Sequence, residues 1–139
     1  MRMRLALCLA LLASPVAAQQ SNAARYLVAE ELAAACEDRG GQFESGIFET
    51  DFDGDGQLDL MLHHEGIVCN GVPGRSLFCG AQACTLKIWL RRGDLLKLAD
   101  EALLASVTVD SATPPVVRGY QHGGQELAFR WTGTGFEVR

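Results

Sequence analysis

Cys84-Thr85-Leu86-Lys87-Ile88-Trp89-Leu90-Arg91-Arg92 is the stretch whose reading decides the fold. Leu86, Ile88 and Leu90 recur at every second position with Cys84 in phase, which is the two-residue period of a strand with one apolar face. Arg92-Gly93-Asp94 then ends it as a turn, so the tripeptide reads as chain reversal rather than as an adhesion signal. Trp89 is out of phase and belongs on the opposite face, where it is either covered by another segment or left as a stacking surface together with Trp131.

Working outward, most of the chain has the same extended character. Phe43 to Thr50 and Leu58 to His63 read as strands, as do Val107 to Asp110 and Pro115 to Tyr120, with Ser111 to Pro114 as a turn. Leu127 to Trp131 and Phe136 to Val138 flank Thr132-Gly133-Thr134-Gly135 and predict a hairpin. Leu95 to Leu104 is ambiguous, since its Leu, Ala, Asp and Glu suit a helix as readily as a strand. Arg25 to Asp38 differs: Val28, Leu32, Ala35 and Cys36 fall on one side of a helix that Gly40-Gly41 ends. The expected architecture is α+β, an N-terminal helix packed on an antiparallel sheet. No repeat or linker divides residues 19–139, which form one domain.

Residues 1–18 stand apart. Arg2 and Arg4 precede the apolar run Leu5 to Leu12, and Val16-Ala17-Ala18 offers the small residues read by a signal peptidase. That run is too short to span a bilayer, so an exported protein, periplasmic or secreted, is expected, with no membrane span after cleavage. Cleavage removes two of the twelve basic residues and none of the seventeen acids, taking the net charge from −5 to −7. Nucleic acid and anionic membranes, which require clustered Lys and Arg, are thereby disfavoured as partners.

Cys8 leaves with the leader, and Cys36, Cys69, Cys79 and Cys84 remain. Four cysteines in a small exported domain read as two disulfides with three possible connectivities. Side-chain direction favours Cys36 with Cys84, because both thiols share a face with apolar neighbours, and Cys69 with Cys79 closing a Gly- and Pro-containing loop. The spacing matches neither a zinc site nor a Cys-x-x-Cys redox pair.

The motif that carries chemistry is Asp51-Phe52-Asp53-Gly54-Asp55-Gly56-Gln57-Leu58-Asp59. Carboxylates at loop positions 1, 3, 5 and 9, glycine at 6 and a backbone carbonyl at 7 are the pattern that wraps oxygen ligands around Ca²⁺. Short Asp side chains keep the loop tight, and Gly56 permits its sharp bend. Without a cation the carboxylates would repel one another. Asp51, Asp53, Asp55 and Asp59, with the Gln57 carbonyl, are the candidate ligands, and the ion's expected role is mainly structural. From Glu49 to Glu65 there are six acids and no Lys or Arg, so the chain's acidity is concentrated at this loop and its flanks.

An EF-hand would have Glu at position 12 and a helix on each side; Leu62 and strand-like flanks stand there instead. The segment resembles the calcium hairpin of FG-GAP and VCBS repeats, over residues 46–63. That resemblance implies strand, calcium loop, strand, with the four aspartates as side-chain ligands. Those families repeat the unit to close a propeller, whereas this chain has one copy. More widely it resembles exported proteins of Gram-negative bacteria that join a cysteine-bearing helix, this hairpin and a Phe78-Cys79-Gly80…Cys84 segment.

His63 and His64 are adjacent on a strand and point apart, so they cannot readily share an ion, and with Glu65 they read as edge residues leaving the sheet. His122 lies in a Gly-rich turn. No nucleophile elbow, phosphate loop or zinc-protease helix is present, so no set of residues assembles a reaction. The expected function is a calcium-stabilised binding module for a protein or an envelope glycan. The alternatives are an inhibitor of a secreted hydrolase that presents Arg75 and Phe78 on the Cys69–Cys79 loop, and a hydrolase with a dispersed site at His122 and Ca²⁺.

Overall fold

The computed structural model describes residues 20–71 and 73–139, and the expected leader lies outside them. Helix α1 (Asn22–Ala35) begins before Arg25 because the Ser21 side chain caps it, accepting from the Ala24 N–H at 3.2 Å. It stops before Asp38: Glu37 and Asp38 take φ of 50° and 59°, which no continuing helix accommodates. The chain then enters β1 (Gly41–Phe43) and β2 (Ile47–Thr50), so the single strand expected over residues 43–50 is divided, with Gly46 at φ 88° between the two parts.

β2 pairs with β3 (Asp59–His63), while β1 pairs with β4 (Ile67–Cys69) in a separate two-stranded ribbon. A 3₁₀ turn, His64–Gly66, joins β3 to β4. The main sheet continues through β5 (Cys84–Arg92), β6 (Leu95–Val109), β7 (Val117–Tyr120), β8 (Glu126–Trp131) and β9 (Phe136–Val138). Its order is β2-β3-β5-β6-β7-β8-β9, antiparallel throughout.

The ambiguous segment 95–104 is strand. Gly93, with φ 65°, takes the first of two turn positions and sets Leu95 opposite Arg92, after which the ladder with β5 overrides helix propensity. β6 pairs with β5 up to Leu104 and with β7 from Ala105 onward. The register shifts between Ala105 and Thr108, where Ser106 has φ 52° and gives its N–H to Glu65 Oε2 at 2.8 Å. This irregularity carries the strand from one layer to the next.

At β3 and β5 the sheet is buried on both faces. Leu60, Leu62 and Trp89 pack against Ala24, Leu27 and Val28 of α1. Met61, Leu86, Ile88, Leu90 and Leu104 pack with Phe52 and with Val117 and Phe129 of the returning strands. All five residues of β3 are accordingly buried, as in a central strand with two covered faces. Each fully buried Leu, Ile, Met or Phe among them contributes roughly 1.5–3 kcal/mol.

These two faces correct the expected disulfides. Cys84 shares the phase of Leu86 and Ile88, whereas Cys36 ends a helix lying on the opposite face, so Cys36–Cys84 does not form and neither does Cys69–Cys79. The bridges are Cys36–Cys69 and Cys79–Cys84. Pairing of β1 with β4 sets Gly41 opposite Cys69 beside the helix end. A Cβ at residue 41 would lie 3.0 Å from Cys36 Sγ, so glycine leaves room for the bridge. Cys79 and Cys84 face each other across a short turn held by the Gly80 N–H and the Ala83 carbonyl at 2.8 Å.

Candidate metal centre

The aspartate loop joins β2 to β3, and its shape follows from local hydrogen bonds. Asp51 Oδ1 accepts from the N–H groups of Gly54 at 2.7 Å and Asp55 at 3.0 Å, and Oδ2 accepts from Gly56 at 2.8 Å. The loop is thus wound around one carboxylate. Gly54 and Gly56, at φ 78° and 88°, supply the left-handed steps this winding requires. Phe52 points the other way, fully buried in the core, and anchors the loop to the sheet.

Asp59, at the start of β3, is buried and faces the loop from below. Its Oδ2 accepts from the Phe52 N–H and its Oδ1 from the Arg91 N–H, both at 2.7 Å. Burial raises its pKa to about 6, against the lowering effect of the two backbone bonds, and Asp53 and Asp55 add repulsion. Carboxylate oxygens of Asp51, Asp53 and Asp59 lie within 4.8 Å of one another. An all-oxygen, all-anionic donor set on one tight loop fits a hard divalent cation rather than a thiolate- or imidazole-preferring metal.

Asp55 is placed differently. Asp55 lies outside the three-carboxylate group: its Oδ1 accepts from the Gln57 N–H at 2.8 Å and its Oδ2 from Gln57 Nε2 at 3.3 Å. Arg92 Nη1 lies 2.8 Å from Asp53 Oδ2 and 3.6 Å from Asp55 Oδ2, so a guanidinium from the end of β5 draws both carboxylates toward it.

A second polar cluster escaped the sequence reading. His64 places Nδ1 2.7 Å from Ser76 Oγ and Nε2 2.8 Å from Glu31 Oε2, and Lys87 Nζ donates to both Glu31 oxygens at 2.8 and 3.0 Å. Burial would raise the Glu31 pKa, but hydrogen bonds from His64 and Lys87, with their charges, hold it below the ordinary carboxylate value. Ser76 is buried, and its Oγ also accepts from the Phe78 N–H at 3.1 Å. The cluster is a closed hydrogen-bond chain tying α1, the 3₁₀ turn, the 70–83 segment and β5 together. Its one available sign was Glu31's place in the inward stripe of Ala24, Val28 and Ala35.

The two histidines diverge as expected, but they are not edge residues. His63 is buried with Nε2 2.9 Å from the Leu104 carbonyl, and burial lowers its pKa against the opposing effects of that bond and of Glu65. His122 is exposed in the β7–β8 turn. Trp89 lies beneath α1 and offers no open face, while Trp131 packs edge-on against Phe136 at 5.3 Å. Beside it a shallow cleft of about 400 Å³ is lined by Arg130, Trp131, Thr132, Glu137, Val138 and Arg139. No helix among the described residues is long and apolar enough to cross a membrane. Compared with known proteins, the chain matches no family model, no curated sequence and no solved structure.

Proposed function

We propose that this chain is an exported, disulfide-bridged binding module whose β2–β3 loop takes a calcium ion for structural purposes. The observation that carries the reading is the convergence of Asp51, Asp53 and Asp59 on a loop already wound by backbone hydrogen bonds to Asp51. Those three carboxylates would hold the ion, with Asp55 and the Gln57 carbonyl as the further ligands implied by the FG-GAP and VCBS resemblance. The ion would supply positive charge at a place where the chain concentrates negative charge. Two disulfides and a second covered face favour a rigid scaffold over a catalytic centre. Exposed Leu77, Phe78, Leu95, Leu98 and Leu103 offer apolar surface for a protein partner or an envelope glycan.

Extracellular calcium modules have dissociation constants of about 10⁻⁴ to 10⁻³ M. Free calcium about 100-fold above the dissociation constant would stabilise the fold by roughly 2.7 kcal/mol. Thermal melts of the purified domain in calcium and in EDTA test the reading. A higher melting temperature in calcium, removed by Asp53→Ala, is expected; identical melts under both conditions would sink it.

A further inference from the structure

The two disulfides differ in everything that governs thiol–disulfide exchange. Cys36 and Cys69 are buried together against Ala35 and Ile67. In the second pair Cys84 is buried at 1% exposure but Cys79 is partly open to solvent. The Arg75 guanidinium donates from Nη2 toward Cys84 Sγ at 3.6 Å. Arg75 is held there by its bridge to Val68 and by the Cys69 N–H bond to the Gly74 carbonyl at 2.9 Å. On the other sulfur, Cys79 Sγ lies 3.6 Å from the His64 carbonyl oxygen. One cysteine is therefore partly open to solvent, with its sulfur facing an acceptor for a thiol proton, and its partner is shielded and faces a cation. A cation beside a sulfur stabilises it as thiolate and makes it the better leaving group.

We propose that Cys79–Cys84 is a thiol–disulfide exchange site whose co-substrate is a dithiol reductant, small or protein-borne, while Cys36–Cys69 remains closed. A reductant thiolate attacks Cys79 Sγ, forming a mixed disulfide as the Cys79–Cys84 bond breaks. The electron pair of that bond leaves on Cys84 Sγ, as a thiolate facing Arg75. The reductant's second thiolate then attacks its own sulfur in the mixed disulfide and leaves as a cyclic disulfide. Cys79 departs with the electron pair and takes a proton, which it can donate to the His64 carbonyl. Two electrons pass to the protein, and one dithiol is oxidised. The two cysteines are five positions apart in sequence, so opening this bridge releases far less chain than opening the other, whose cysteines are 33 positions apart.

The experiment is graded reduction of the folded protein with dithiothreitol, blocking with N-ethylmaleimide and peptide mass spectrometry. Label on Cys79 and Cys84 is expected at reductant concentrations at least about tenfold below those that label Cys36 and Cys69, with far-UV circular dichroism unchanged. Simultaneous labelling of all four cysteines, in step with loss of structure, would overturn the proposal. Arg75 is exposed and its backbone bridge to Val68 does not involve the side chain, so Arg75→Gln with an unchanged circular dichroism spectrum should slow opening about threefold at neutral pH. An unchanged rate would remove the leaving-thiolate role from Arg75 and with it the asymmetry on which the proposal stands.

Discussion

Arg92 Nη1 sits 2.8 Å from Asp53 Oδ2, which places a fixed positive charge against a carboxylate that is also a candidate metal ligand. The guanidinium comes from the last residue of β5, while Asp59 accepts from the N–H of its neighbour Arg91. The β5–β6 corner therefore holds the acidic loop through one backbone bond and one ion pair. A cation bound by Asp53 and Asp55 must share them with Arg92 or displace it. Arg92→Gln should tighten calcium binding about threefold at low salt, a modest gain because the guanidinium is substantially solvated. Calorimetric titration of both proteins checks this; weaker binding by the variant would mean that Arg92 helps assemble the site instead.

Asp51 and Asp53 are predicted to fail in different ways. Asp51 accepts three backbone N–H groups of the loop, so Asp51→Ala removes the loop's organising acceptor whether or not an ion is present. A loss of about 1–2 kcal/mol is expected in EDTA as well as in calcium, since the N–H groups can turn to water. Asp53 accepts one backbone N–H, that of Asp55 at 3.2 Å, and pairs with the part-exposed Arg92 guanidinium, so in EDTA Asp53→Ala should have less effect than Asp51→Ala and its main cost should appear in calcium. Urea unfolding of both variants under both conditions separates the roles.

What the sequence made legible here was local. The period of residues 84–92 identified a strand with two distinct faces, and Trp89 fell on the opposite face from Leu86, as its phase required. The aspartate spacing brought Asp51, Asp53 and Asp59 together because a loop of nine residues has little freedom once glycine sets its bends. What covered each face was not legible. It depends on β6 crossing between layers at Ser106, a residue with no turn signature, and on β7 to β9 folding back over Leu86 and Ile88. The disulfide expectation failed for that reason, since it treated two apolar phases as one core. Asp55 is bonded instead to Gln57 beside it, and the Lys87–Glu31–His64–Ser76 chain joins four distant segments, of which only Glu31's place on the helix stripe was open to local reading.

Loss of the two bridges should not cost the same. In the chain-entropy treatment the loop closed by Cys36 and Cys69, with its separation of 33, contributes about 3.5–4 kcal/mol, and the five-residue separation of Cys79 and Cys84 about 2 kcal/mol. Paired Cys→Ala variants, unfolded in urea, should differ by about 1.5–2 kcal/mol in that order. Equal losses would indicate that the denatured chain is compact enough to hide the difference in loop length.

Two groups, His63 and Glu31, should weaken the folded state toward acid, while Asp59, raised to about 6, opposes them between about pH 6 and 3.8 because there the folded state holds its proton and the unfolded chain does not. Burial lowers His63 from its ordinary 6.5, so the unfolded chain takes up that proton first. Stability is then complete above about pH 6.5 and declines below it, until the folded imidazole also protonates. Glu31 acts lower on the scale: its folded pKa lies under the ordinary 4.5, and the stability it adds is present above that value and lost as pH falls through the folded one. Both slopes have the same sign, because in each window the unfolded state binds more protons. His63→Gln should flatten the decline that begins near pH 6.5 while leaving the loss below 4.5, and Glu31→Gln should do the reverse at the expense of about 2 kcal/mol at neutral pH from the weakened bonds of His64 and Lys87. Melting temperatures in EDTA across pH 3.5 to 8, read as the difference between wild type and each variant so that the Asp59 contribution cancels, resolve the two steps, and a His63→Gln profile parallel to the wild type down to pH 4.5 would remove His63 from the account.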